Sequence, residues 1–121
     1  MRHAATAYGK IAKQTASPRD LEADLLLSAA ARLQAIRDSW EDKRPELDSA
    51  LLYNRKLWSV FVASVMSPEH PLPAPVRQNV ANLGLFVFNQ TLTIMTNPQP
   101  DRLASLILIN RELAAGLLGR A

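Results

Sequence analysis

Eight prolines set the frame within which this chain can fold. They fall in four places: Pro18, Pro45, the run Pro68, Pro71, Pro73 and Pro75, and the pair Pro98 and Pro100. A proline fixes its own φ, lacks an amide hydrogen and biases the residue before it away from helical geometry. It is welcome at the first position of a helix and interrupts one elsewhere. Between these marks the apolar residues recur at steps of three and four, and nothing alternates with period two over a useful length. The chain is therefore expected to be all-α. It should form a compact bundle of four main helices, antiparallel because short connections join antiparallel neighbours, preceded by a short N-terminal arm or helix.

The first helix should start at Ser17-Pro18-Arg19-Asp20, where Ser17 caps the orphan amides, Pro18 takes the first position and Asp20 completes a capping-box pattern. Leu25, Leu26, Ala29, Leu33, Ile36 and Trp40 then make one buried stripe, and the helix should end near Glu41–Lys43. Pro45 opens the second, whose seam is Leu47, Leu51, Asn54, Trp58, Phe61 and Val65, and which stops before Ser67-Pro68. The proline run that follows reads as a stiff, ordered crossing. The third helix should run from Pro75 to Thr96. It carries one apolar group at Val76, Val80, Leu83, Val87 and Ile94, and another at Ala81, Leu85, Phe88, Leu92 and Met95. Apolar over more than half its circumference, it is expected to be the central helix. The fourth begins near Asp101, buries Leu103, Leu106, Ile107, Asn110, Leu113, Ala114 and Leu117, and uses Gly119 as its stop.

A chain of 121 residues with 48% hydrophobic composition is one domain's worth, so residues 1–121 are read as one helical domain. Residues 1–16 are its weakest part: Ala5, Tyr8, Ile11 and Ala12 have the spacing of a short helix, while Gly9 favours a mobile arm. No apolar run resembles a secretory leader or reaches the length of a membrane span, so a cytoplasmic protein without membrane insertion is expected. The net charge is +3, but the basic residues are scattered. A nucleic-acid binder concentrates them on one face, which argues against RNA.

Chemistry has little to work with. There is no cysteine, and the two histidines, His3 and His70, lie in the arm and the proline run. Neither has a helical partner for a metal, no glycine-rich phosphate loop occurs, and the carboxylates fall on caps and exposed helix positions. The expectation is no enzyme, no metal and no cofactor.

The asparagines say more. Asn54 and Asn110 fall inside apolar seams, in the related runs Leu51-Leu52-Tyr53-Asn54-Arg55 and Ile107-Leu108-Ile109-Asn110-Arg111. Each is either a buried group satisfied by a carbonyl or by the other, fixing register, or the lining of a groove for a partner helix. Between the two apolar groups of the third helix runs a stripe of Asn79, Asn82, Phe86, Asn89 and Thr93. If this stripe faces water, Phe86 is an aromatic anchor with an amide rim; if it faces inward, Phe86 is core. Tyr8, Asn79, Asn82, Phe86 and Asn89 are the candidate partner-binding residues.

The order of segments resembles the FlaF proteins of α-proteobacteria. The resemblance rests on Ala7-Tyr8, Ser17-Pro18-Arg19-Asp20-Leu21-Glu22, Tyr53-Asn54-Arg55-Lys56-Leu57-Trp58, Arg77-Gln78-Asn79-Val80-Ala81-Asn82-Leu83-Gly84 and Ile109-Asn110-Arg111-Glu112-Leu113-Ala114-Ala115-Gly116-Leu117. It extends from Ala7 to Gly119. It implies a flagellar biosynthesis protein required for flagellin production, one that binds flagellin before export as a secretion chaperone and couples its synthesis to export. It implies FlbT, which restrains flagellin mRNA translation, as a second partner. The alternative is an adaptor or post-transcriptional regulator that acts through FlbT or the mRNA. The family offers no catalytic residues to carry over.

Overall fold

Pro18 does begin a helix. The computed structural model describes residues 17–119, and its first long helix, α1, spans Pro18–Asp38. Ser17 has extended backbone geometry, and its Oγ accepts a hydrogen bond from the Asp20 amide at 3.1 Å. That removes one of the unpaired donors that every helix start carries. The residues expected to finish this helix are helical but set apart. The chain breaks at Ser39, makes one turn over Trp40–Lys43 and tightens to a 3-10 turn over Arg44–Glu46, which absorbs Pro45. The Arg44 guanidinium lies 5.6 Å from the centre of the Trp40 ring, so half-buried Trp40 meets a cation on one face.

The remaining long helices are α2 (Leu47–Val65), α3 (Ala74–Thr96) and α4 (Ala104–Leu117), the last led in by a 3-10 turn over Pro100–Leu103. Gly119, at φ 74°, takes the left-handed geometry that ends α4, and its amide reaches the Gly116 carbonyl at 3.1 Å. The described residues are all-helical, with no strand.

Helix α1 packs along α4 and against α2, and α3 packs on α2. The partners run in opposite order along α1 and along α4 with its lead-in turn: Leu26 meets Asn110 of α4, and Arg37 meets Asp101 of the turn. The core includes Leu26, Leu33 and Ile36 of α1, Leu51, Trp58 and Val65 of α2, Val87 and Ile94 of α3, and Leu106 of α4, all buried. Each such side chain contributes about 1.5–3 kcal/mol by leaving water. Trp58 and Phe61 meet edge to face, with ring centres 6.0 Å apart.

The third helix is not central, contrary to its apolar distribution. It rests on α2 and barely touches α4. Its inward stripe is narrow: Val80, Gly84, Val87, Thr91 and Ile94. A Cβ on Gly84 would run into Val62 Cγ2 and stand 3.6 Å from the Trp58 ring, so glycine here permits the close approach of α3 to α2. Of the two apolar groups, Val80, Val87, Ile94 and Ala81 are buried and Phe88 and Met95 half-buried, while Val76, Leu83, Leu85 and Leu92 face solvent. Both groups are split: the edge of each that turns toward α2 is covered and the far edge is not.

Arg77 fixes how α3 leaves the proline crossing. Its Nη1 donates to the carbonyls of Val65 (3.3 Å) and Ser67 (3.1 Å), and its Nε donates to Leu72 O at 3.0 Å. The guanidinium thus satisfies a carbonyl at the end of α2 and places positive charge at the negative end of that helix. At the far end, Gln90 Nε2 donates to Arg102 O at 3.2 Å, joining α3 to the turn before α4.

Candidate partner-binding surface

Asn54 and Asn110 do not line a groove. Both are fully buried. Asn110 stands at a junction of three helices: its Nδ2 donates to Asn54 Oδ1 at 2.7 Å and to Leu26 O at 3.3 Å, and its Oδ1 accepts from Trp58 Nε1 at 2.9 Å. Burial of an amide is tolerated only when its hydrogen bonds are replaced, and the α1 carbonyl, the α2 amide and the α2 indole replace them. Asn54 Nδ2 is buried without a partner. The junction fixes the register of α1, α2 and α4, the structural alternative raised by the sequence.

Asn79, Asn82, Phe86 and Asn89 come together on the outer face of α3, and all four are exposed. Phe86 is 45% exposed and lies along the middle of this face. Leu85 (61%) and Leu92 (56%) flank it on one side, where the helical wheel of the sequence had assigned them to a buried group. Gln78 Nε2 donates to Asn82 Oδ1 at 3.0 Å, ordering one amide of the rim. Large apolar side chains bordered by neutral amides suit a protein interface: the apolar part supplies burial and the amides supply direction. Nothing on this face is ionised, so it offers recognition and no proton transfer. Tyr8 lies outside the described residues.

A second apolar surface escaped the sequence reading. Between α1 and α2 runs a groove whose mouth is a hollow of about 440 Å³, lined by Ser17, Pro18 and Glu22 at the start of α1, Phe61 and Ser64 of α2, His70 and Leu72 of the proline crossing, and Leu117 of α4. It continues past Leu25, Leu57 and Val60 and reaches Tyr53 and Lys56. Val60 lies off the seam of α2, where a seam-based reading expects a solvated residue, and Leu25, expected in the buried stripe of the first helix, is exposed instead because it lies at the edge of the face that α1 turns to its neighbours. The signal was present in the count of leucines and valines beyond what each seam needs. At the mouth, burial pushes the Glu22 carboxyl above its ordinary range, opposed by the positive charges of His70 and Arg19.

Among the described residues, no cluster of three or more His, Asp or Glu side chains could hold a metal ion, and no helix is long and apolar enough to cross a membrane. No curated protein and no solved structure matches the chain. The family model of the flagellar protein FlaF matches residues 4–117, and by that match, over nearly its whole length, the chain belongs to the FlaF family.

Proposed function

We propose that this FlaF protein binds flagellin in the cytoplasm before export, acting as a secretion chaperone that couples flagellin production to its secretion. The observation that carries this reading is the outer face of α3, where exposed Phe86, Leu85 and Leu92 sit beside Asn79, Asn82 and Asn89. Flagellin segments destined to become amphipathic helices in the filament expose apolar stripes until they are assembled. A helical surface whose apolar anchors recur on one side, as Leu85 and Leu92 do seven residues apart next to Phe86, covers such a stripe, burying its anchors side by side. Phe86 is the main anchor, because a large aromatic at the centre of a contact contributes most of its energy.

The test is a calorimetric titration of the full chain with flagellin, with FlbT titrated separately. Stoichiometric binding of flagellin is expected. Phe86→Ala with Asn82→Ala should weaken it by roughly tenfold or more while leaving the melting temperature nearly unchanged. Unaltered flagellin affinity in the double variant would remove α3 from the interface. Binding to FlbT alone would make the protein an adaptor that reaches flagellin at second hand.

A further inference from the structure

We infer that the outer face of α3 pairs with the same face of a second copy of this chain, the two α3 helices lying parallel and in register. The surface assigned above to flagellin is then covered by its own like until flagellin displaces it. Only the displacement depends on the flagellin reading; the pairing depends on the face alone. Gln78, Asn82, Leu85, Asn89, Leu92 and Thr96 follow one another at steps of four and three, and all six are exposed. That is the seam of a two-stranded coil, with Leu85 and Leu92 in one set of alternate positions and Asn82 and Asn89 in the other. Phe86 borders it. The seam lies away from α2, which is served instead by Val80, Gly84, Val87, Thr91 and Ile94.

Charge selects the occupant. No Asp, Glu, Lys or Arg falls between Gln78 and Pro100. The seam of a mixed pair is normally flanked by charges that choose the partner and its orientation. Here two identical copies, each carrying a net charge of +3, can meet without like charges facing each other. The asparagines select the orientation. In an antiparallel pair each would lie opposite a leucine, with its amide unmatched. In a parallel, in-register pair Asn82 and Asn89 each meet their own counterpart, amide to amide, and Leu85 and Leu92 do the same. The stripe is about 27 Å long at about 1.5 Å per residue. A contact one helix wide over that length belongs to the small, reversible class of interfaces, so a tighter partner can displace it.

Sedimentation velocity of the full chain from about 1 μM to about 1 mM, with no flagellin present, reads the pairing. A concentration-dependent dimer is expected. Leu85 is 61% exposed, so Leu85→Glu and Leu85→Lys should leave the melting temperature nearly unchanged. Each alone should weaken self-association roughly tenfold or more. An equimolar mixture of the two should recover a dimer at least as tight as the parent, because only the parallel, in-register pair brings position 85 to position 85. A chain that stays monomeric, a dimer indifferent to both substitutions, or a mixture that fails to recover would each overturn the proposal. Because this reading uses no flagellin, its failure is distinct from a failure of flagellin to bind. Flagellin titrated into the parent dimer should give complexes holding one copy of this chain, and complexes that keep two copies paired through α3 would overturn the displacement.

Discussion

Asparagine is set among apolar residues in two regions of this molecule, and the two regions use it in opposite ways. At the junction of α1, α2 and α4, Asn54 and Asn110 are sealed from water, and Asn110 bonds to Asn54, Trp58 and Leu26. On the outer face of α3, Asn79, Asn82 and Asn89 border an exposed Phe86. What separates the cases is the company across the helix. The seam asparagines face a second and a third helix, and there Asn110 finds an acceptor or donor for each of its polar atoms. The α3 asparagines lie opposite Gly84 and Thr91, the small residues that mark the side α3 turns toward α2. An amide in an apolar stripe therefore says little about burial until the close-packed side of its helix is known.

The same substitution made in both regions gives the largest contrast. Asn110→Ala strands the Trp58 indole N–H and the Asn54 amide oxygen inside the core and should destabilise the protein by about 2–4 kcal/mol. Asn89→Ala, on the exposed face, should change stability by no more than about 0.5 kcal/mol. Urea unfolding of the two variants measures both. Similar losses would mean that the outer face is packed, and the distinction would fail.

A smaller effect sharpens the account of how α3 is oriented. Gly84→Ala should raise intrinsic helix propensity by about 1 kcal/mol, yet the added methyl meets the stiff Val62 side chain. We expect a net destabilisation of about 1–2 kcal/mol. Val62→Ala in the same chain should recover much of it if the collision is the cause, and a double-mutant cycle in urea reads the coupling.

The smallest effect concerns Glu22, at the mouth of the groove. Its folded-state carboxyl holds a proton more tightly than the ordinary value of 4.5, because burial outweighs the nearby charges of His70 and Arg19. Below that ordinary value the carboxyl is protonated whether the chain is folded or unfolded, and burial carries no charge penalty. As pH rises through the higher folded value, the folded state must ionise a desolvated group, and stability falls. Glu22→Gln should therefore melt slightly above the parent at about pH 7, with the advantage vanishing near about pH 4. Melting curves across that range check it.

Much of this architecture is legible in the prolines and in single caps. Ser17-Pro18 locates the start of α1, the proline run separates α2 from α3, and Gly119 marks the end of α4, each because one residue type satisfies a local backbone demand. The placement of α3 is not legible in the same way. Two apolar flanks have the same hydropathy whether or not a neighbour covers them, and only Gly84 and Thr91 betray which side is close-packed. The exposure of Asn79, Asn82, Phe86 and Asn89 follows from that placement. The groove between α1 and α2 was invisible because each helix was read along its own seam, and the groove is a property of the pair. Arg77 looked like one more scattered basic residue, since its three carbonyl partners come from a crossing whose path the sequence does not draw.

The Arg77 pin has a mechanical consequence. Helix α3 is fastened to the protein along one interface, by Arg77 at its beginning and Gln90 near its end, with little support from α4. Such a helix acts as a lever with its fulcrum at the proline crossing. Force applied to its outer face reaches the carbonyls that close α2 before it reaches the buried asparagine junction. Tilting α3 therefore breaks the Arg77 and Gln90 hydrogen bonds and its buried contacts with α2, and none of the hydrogen bonds of the asparagine junction. A partner that grips this face can reposition it while the junction of α1, α2 and α4 stays closed.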